Sequence, residues 1–186
     1  MLIALAGKKG SGKDTAANLI LQLYPGITFY VTAFADPIKD ALNTIFGWGN
    51  SAWWPENKER VDPRWGISPR QAAQHLGTEW GQYGLCADFP EFSKVTKNKL
   101  WCKSALSRCR QHPYSIITDM RFFHEYVEVK KVKPSFVIKL VRNSGNHDEH
   151  PSERSVDSII PDVTIANTGT VEALRSILEE TLDSVL

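Results

Sequence analysis

A chain of 186 residues is long enough for one domain with a real core, and 42% hydrophobic and 23% charged residues mark a globular protein in water. A formal net charge of +1 supplies no global field toward nucleic acid or a membrane, so an anionic ligand has to be held by local Lys and Arg. Cys86, Cys102 and Cys109 contain no CxxC pair, which excludes a disulfide framework or a zinc site of ordinary spacing. Cys102 and Cys109 stand seven apart, on one helix face, and read as small buried residues. No apolar run reaches the ~20 residues of a membrane helix, and the start lacks a signal-peptide pattern; the expected location is cytoplasmic.

In chain order, Leu2 to Ala6 reads as a buried strand ended by Gly7. A helix follows from Lys13 to Tyr24, stopped by Pro25-Gly26. Ile27 to Phe34 is rich in β-branched and aromatic residues and reads as a second strand. Asp36 is expected to cap a helix that begins with Pro37 and runs through Phe46. Residues 47–66, with four tryptophans among Pro, Gly and Asn, read as a structured loop. Ser68-Pro69 opens a helix to about Gln82, and one further helix is expected over Glu91 to Arg110. Ser115 to Thr118 is a strand ending in Asp119; a helix, the strand Phe136 to Val141 and a polar excursion over 142–161 come next. Val163 to Ala166 is the last strand, and Thr170 to Val185 the last helix. The alternation predicts an α/β fold, a parallel sheet flanked by helices, in a single domain over 1–186. Residues 36–110 are too long for one crossover and are expected to form a helical, acceptor-binding region, with 142–161 as a lid.

Gly7-Lys8-Lys9-Gly10-Ser11-Gly12-Lys13 has four residues between its outer glycines and a Lys after the last, between a predicted strand and a predicted helix. That is the pattern and the context of a phosphate-binding P-loop. Its glycines let the backbone wrap oxygens with inward N–H groups, and the helix start adds positive potential. Lys13 would reach the β- and γ-phosphates as a point charge. The Ser or Thr usual after that Lys is replaced by Asp14, followed by Thr15; a carboxylate and a hydroxyl both suit Mg²⁺.

Phosphoryl transfer needs positioning and charge neutralisation, so further cations should converge on the loop. Arg121 follows Asp119 at the carboxyl end of a buried strand, the sheet edge where ligands sit. Asp119 could orient Mg²⁺ or a nearby Arg. Arg142 ends the next strand, and Arg154 lies in the lid, where His150 and Glu153 read as a loop-fixing network. Lys13, Asp119, Arg121 and Arg142 are the catalytic candidates. Arg70, near a helix start, and Lys39 could hold an acceptor phosphate, while Trp80 or a loop tryptophan could stack on a base.

In order and spacing, GKKGSGKDT, AFADPIKDAL (33–42), KE (58–59), SPRQAAQHLGTEWG (68–81), TDMRF (118–122), HPSE (150–153) and DVTIANTGTVEAL resemble the phage-type deoxynucleoside monophosphate kinases along nearly the whole chain. The resemblance implies a P-loop kinase fold and Mg²⁺-dependent transfer of the ATP γ-phosphoryl to a dNMP, giving dNDP for viral DNA synthesis in the host cytoplasm. It implies ATP contacts from Gly7, Lys9, Gly10, Ser11, Gly12, Lys13, Asp14, Thr15 and Arg142, with Asn167 to Gly169 beneath the adenine. Asp14 and Thr15 would hold the metal. Asp36, Lys39, Arg70, Gln74, Glu79, Trp80, Arg121 and Glu153 would form the acceptor site. Relatives often carry Arg where this chain has Gln82, and Pro-Asn where it has Phe123-His124. The expected partners are ATP and dNMP, with no nucleic acid and no membrane; a homodimer is left open.

The loop style also resembles animal phosphomevalonate kinases, dephospho-coenzyme A kinase shares the general plan, and a base-sized pocket around residues 34–80 should separate the dNMP reading from them. A GTPase-like switch needs a guanine-reading Asn/Thr-Lys-x-Asp, and Thr96-Lys97-Asn98-Lys99 lacks the Asp. A P-loop fold without catalysis fits poorly with Lys13 and Arg121 both in place.

Overall fold

The computed structural model describes residues 1–97, 99–142 and 155–186. Met1–Ala33 with Leu106–Leu186 form one compact unit, and Phe34–Ala105 form a second.

The first unit is built on a five-stranded, all-parallel sheet in the order β2-β3-β1-β4-β5. The strands are β1 (Leu2–Ala6), β2 (Tyr30–Thr32), β3 (Ser115–Met120), β4 (Ser135–Val141) and β5 (Val163–Ala166). Its central strand β1 is buried along its whole length, as a strand covered on both faces must be. Ile3, Leu5, Ile116, Ile138, Leu140 and Ile165 meet Ala16, Leu19 and Ile20 of α1 (Lys13–Leu23) and Leu174, Leu178 and Leu182 of the C-terminal helix. That helix, Val171–Leu182, is numbered α8 below; Thr170 caps it by accepting the N–H of Ala173 at 3.2 Å. The thiols of Cys102 and Cys109 are buried, and no disulfide joins the three cysteines.

Strand β2 is shorter than the sequence suggests, because Ile27 is still in a turn, its N–H bonded to the Tyr24 carbonyl at 3.0 Å. Among the described residues it is an edge strand paired only with β3, and a short edge limits open pairing groups. Strand β3 runs two residues beyond Thr118, so Asp119 lies inside it. The register shifts there: Ala4 faces Ile117 but Ala6 faces Met120, which puts one extra residue in β3 at Thr118-Asp119. A bulge of this kind re-aims side chains next to a strand end.

The second unit is helical. Helix α2 (Asp36–Phe46) packs on α3 (Pro69–Gln74) around Leu42, Trp48 and Ala72. Asp36 does not cap α2. Ala35 precedes it in helical conformation, and the Asp36 carboxyl pairs with Lys39 at 3.0 Å inside the first turn. Ser68 does cap α3: its hydroxyl accepts from Gln71 N–H at 3.2 Å, and Gln71 Oε1 accepts from Ser68 N–H at 3.0 Å. Beyond Gln74 the helix widens to five-residue hydrogen bonding over His75–Gly84, then narrows to α4 (Leu85–Asp88). Gly77 and Gly81 lie in the wide stretch; the Trp101 ring rests against Gly81 and its indole donates to the Gly77 carbonyl at 2.7 Å.

The single helix expected over 91–110 is two, α5 (Pro90–Thr96) and α6 (Leu100–Cys109). Lys97 adopts a left-handed φ of 50°, and Thr96 Oγ1 bonds back to the Phe92 carbonyl at 2.8 Å, which competes with helix propagation. The tryptophan-rich loop is ordered from within. Trp48 stacks on Phe46 at 4.5 Å and donates to Asp62 at 2.8 Å, while Trp53 donates to Asn43 at 2.9 Å. The Arg64 bonds, aided by Trp48, hold the Asp62 carboxyl well below its usual range.

The reciprocal cap makes Ser68→Ala the sharpest local test of this unit. It should lower the unfolding free energy by about 1 kcal/mol, read from urea denaturation at unchanged slope.

Candidate active site

Between β1 and α1 the chain turns through three glycines with positive φ, Gly7 (152°), Gly10 (77°) and Gly12 (96°). At two of them side-chain carbon is also excluded by contact. A Cβ on Gly7 would come within 2.6 Å of the Leu140 carbonyl on β4 and collide with Ser11 Oγ, and one on Gly12 would collide with Asn167 Nδ2. The loop is therefore pressed against the sheet by its own lack of side chains.

Within it, the Ser11 N–H bonds to the Lys8 carbonyl at 3.2 Å and the Ala16 N–H to the Gly12 carbonyl at 2.9 Å. The N–H groups of Gly10 and Gly12 have no acceptor among the described residues. Ser11 Oγ, on a residue only 2% exposed, likewise has no partner among them. Unpaired donors beside a helix start are what an anion site requires. Lys13 is 8% exposed, and its ammonium donates to the carbonyls of Gly7 at 2.8 Å and Lys8 at 2.9 Å, so the charge is held over the loop. Asp14 and Thr15 are exposed in the first turn of α1, and Lys9 is exposed on the loop.

Asn167 follows β5 and clips the loop: its Nδ2 donates to the Ser11 carbonyl at 2.9 Å, while its own N–H bonds to the Val141 carbonyl at 2.8 Å. The loop conformation is thus tied to the far end of the sheet. Gly169, two residues on, is exposed.

The chain leaves β1 toward β3 and β2, then crosses to β4 and β5, so the ends of β1, β3 and β4 border the crevice where the strand order reverses. Asp119 and Arg121 are half-buried at the end of β3, and Arg142 is exposed just after β4. Beneath this edge lies a residue that sequence reading missed. Glu125, in the first turn of α7 (Phe123–Val129), is 8% exposed and accepts the N–H groups of Arg121 at 2.8 Å and Phe122 at 2.9 Å. Burial, with the Asp119 charge adding to it, pushes the Glu125 carboxyl up to about 8 against the downward pull of those two amides and of Arg121. A Glu three residues after the position preceding a helix is a capping signature, and that spacing was the available clue.

In the helical unit, Lys39 pairs with Asp36, and Glu79 pairs with His75 at 2.6 Å on an exposed face. Arg70 and Gln74 are exposed on α3, and the Arg70 guanidinium has no partner among the described residues. Trp80 is 46% exposed. A cavity of about 340 Å³ opens in this unit, lined by Trp48, Asn57, Arg60, Asp62 and Arg64 among others. His150, Glu153 and Arg154 lie outside the described residues. No group of three or more His, Cys, Asp or Glu suited to a metal occurs among the described residues.

The raised Glu125 pKa makes a stability statement. The folded chain keeps this proton up to about pH 8, whereas an unfolded Glu loses it near pH 4.5, so the folded state binds more protons between those values. Stability contributed at this position should fall as pH rises through that window. Thermal unfolding from about pH 5 to about pH 8 should show a steeper loss in Tm for the native chain than for Glu125→Gln, and parallel curves would contradict the assignment.

The sequence profile described as deoxynucleotide monophosphate kinase matches residues 1–53. A protein of Acanthamoeba polyphaga mimivirus, given the provisional name deoxynucleotide monophosphate kinase, is 31% identical over 192 residues, which span 99% of this chain and 97% of that one. Among solved structures, TT1252 from Thermus thermophilus superposes with a TM-score of 0.52 at 16% identity, covering 100% of this chain and 98% of its own; it shares the fold. No helix among the described residues is long and apolar enough to cross a membrane. Similarity that reaches from one end of the chain to the other makes this a phosphotransferase, and the chain belongs to the deoxynucleotide monophosphate kinase family.

Proposed function

We propose that the protein transfers the γ-phosphoryl of ATP to a deoxynucleoside monophosphate, yielding ADP and a dNDP. The observation that carries this reading is the loop from Gly7 to Lys13, whose Gly10 and Gly12 amides meet no acceptor among the described residues and whose ammonium is buried. The amides take the phosphate oxygens of ATP. Lys13 trades carbonyl partners for the β- and γ-oxygens, and charge spreading over the transferring group is met by Lys13, Arg121 and Arg142. Asp119 orients the Arg121 side. Asn167 to Gly169 lie under the adenine, with Asn167 also holding the loop. Asp14 and Thr15, an exposed carboxylate and hydroxyl in the first turn of α1, are oxygen donors that suit a hard cation. Mg²⁺, when bound with the nucleotide, supplies neutralisation of the phosphate charge.

Lys39 and Arg70 take the acceptor phosphate. Asp36, Gln74 and Glu79 contact its sugar and base, and the exposed face of Trp80 stacks on the base. Glu153 completes the acceptor set. A panel of dNMPs, ribonucleoside monophosphates, phosphomevalonate and dephospho-coenzyme A, each with ATP, tests the acceptor: dNMP-dependent ADP release is expected. Turnover of phosphomevalonate or dephospho-coenzyme A with no dNMP would overturn it.

Lys13→Ala should lower kcat by about 10²-fold or more while leaving the circular dichroism spectrum unchanged, and a near-normal rate would mean the cradle is misassigned. Asp14→Ala should shift the Mg²⁺ titration of activity to higher concentration. An unmoved midpoint would assign the metal to other donors.

A further inference from the structure

Glu125 is a carboxyl group in a place that hydrophobic packing would ordinarily fill, 8% exposed in the first turn of α7. One oxygen, Oε2, accepts both the Arg121 N–H at 2.8 Å and the Phe122 N–H at 2.9 Å. These amides come just after Met120, where β3 ends, so the sheet no longer fixes their direction. The register shift at Thr118-Asp119 leaves a single β1 pairing, Ala6 with Met120, between the bulge and Arg121. At 121–122 the Glu125 side chain takes both N–H groups, while the Phe122 carbonyl is held by the Glu125 and Tyr126 amides at 3.1 Å each. An Arg side chain is long, so a small rotation of its backbone carries the guanidinium through ångströms.

We propose that Glu125 is a positioning residue for phosphoryl transfer, holding the main chain of Arg121 and Phe122 so that the Arg121 guanidinium is delivered to the phosphate cradle. The inference rests on the reading of Arg121 as a cation acting on the transferred group. A hydrogen-bond acceptor is what the geometry uses, and a neutral carboxyl or an amide oxygen serves as well as a carboxylate.

The test is a double-mutant cycle with steady-state kinetics for ATP and the dNMP that the chain turns over best. Glu125→Ala should lower kcat by about 10²-fold, the cost of a misplaced group, with little change in KM for ATP. In an Arg121→Ala background the same substitution should cost little more, because the group it aims is gone. Glu125→Gln, which keeps an acceptor oxygen, should restore most of the rate. If Glu125→Ala loses its native melting transition, the cycle is run with Glu125→Asp, one methylene too short to reach both amides. Multiplying effects of the two sites, or a Glu125→Gln enzyme as slow as the alanine variant, would overturn the inference while leaving Arg121 in its role. An Arg121→Ala enzyme of normal rate would overturn both the role and the inference.

Discussion

Everything in the site depends on how the stretch from Gly7 to Lys13 is held. Among the described residues its Gly10 and Gly12 N–H groups meet no acceptor, and its own carbonyls grip the Lys13 ammonium at 2.8 and 2.9 Å. A buried cation is costly in a folded chain unless it is hydrogen-bonded, and a loop that wraps one needs its surroundings to hold its shape. Leu140 and Asn167 provide that enforcement. The first packs its carbonyl where a Gly7 side chain would stand, and the second bonds the Ser11 carbonyl. The loop conformation is consequently fixed by its neighbours on β4 and after β5.

The sheet supplies the remaining order. Because β1 lies between β3 and β4, the P-loop emerges at the same edge as Asp119, Arg121 and Arg142. The edge is not a regular one: a bulge shifts β3, and a buried glutamic acid takes over where the ladder stops.

The sequence made local features readable and left long-range ones hidden. The glycine turn after β1, the Ser68-Gln71 cap and the Thr170 cap are written in residues a few positions apart, and the observed geometry follows them. Asn167 meets the loop across 156 positions of sequence, so its clip on Ser11 depends on sheet closure that no local pattern encodes. The bulge in β3 is a property of pairing, invisible in Ser115–Met120 alone. The wide helix over His75–Gly84 and the break at Lys97 override a helical periodicity that runs through both segments. Tryptophan use was ambiguous for the same reason. Four of the six indoles, those of Trp48, Trp53, Trp65 and Trp101, donate hydrogen bonds inside the protein, and those of Trp54 and Trp80 make none among the described residues.

The most direct measurement is the response of individual backbone amides to nucleotide, followed by ¹⁵N-resolved spectra and amide exchange on the full chain. Binding of ATP with Mg²⁺ should shift the Gly10 and Gly12 resonances downfield and slow their exchange, while amides in the body of α8 stay unchanged. Saturating nucleotide that leaves both glycine amides unmoved would contradict the cradle.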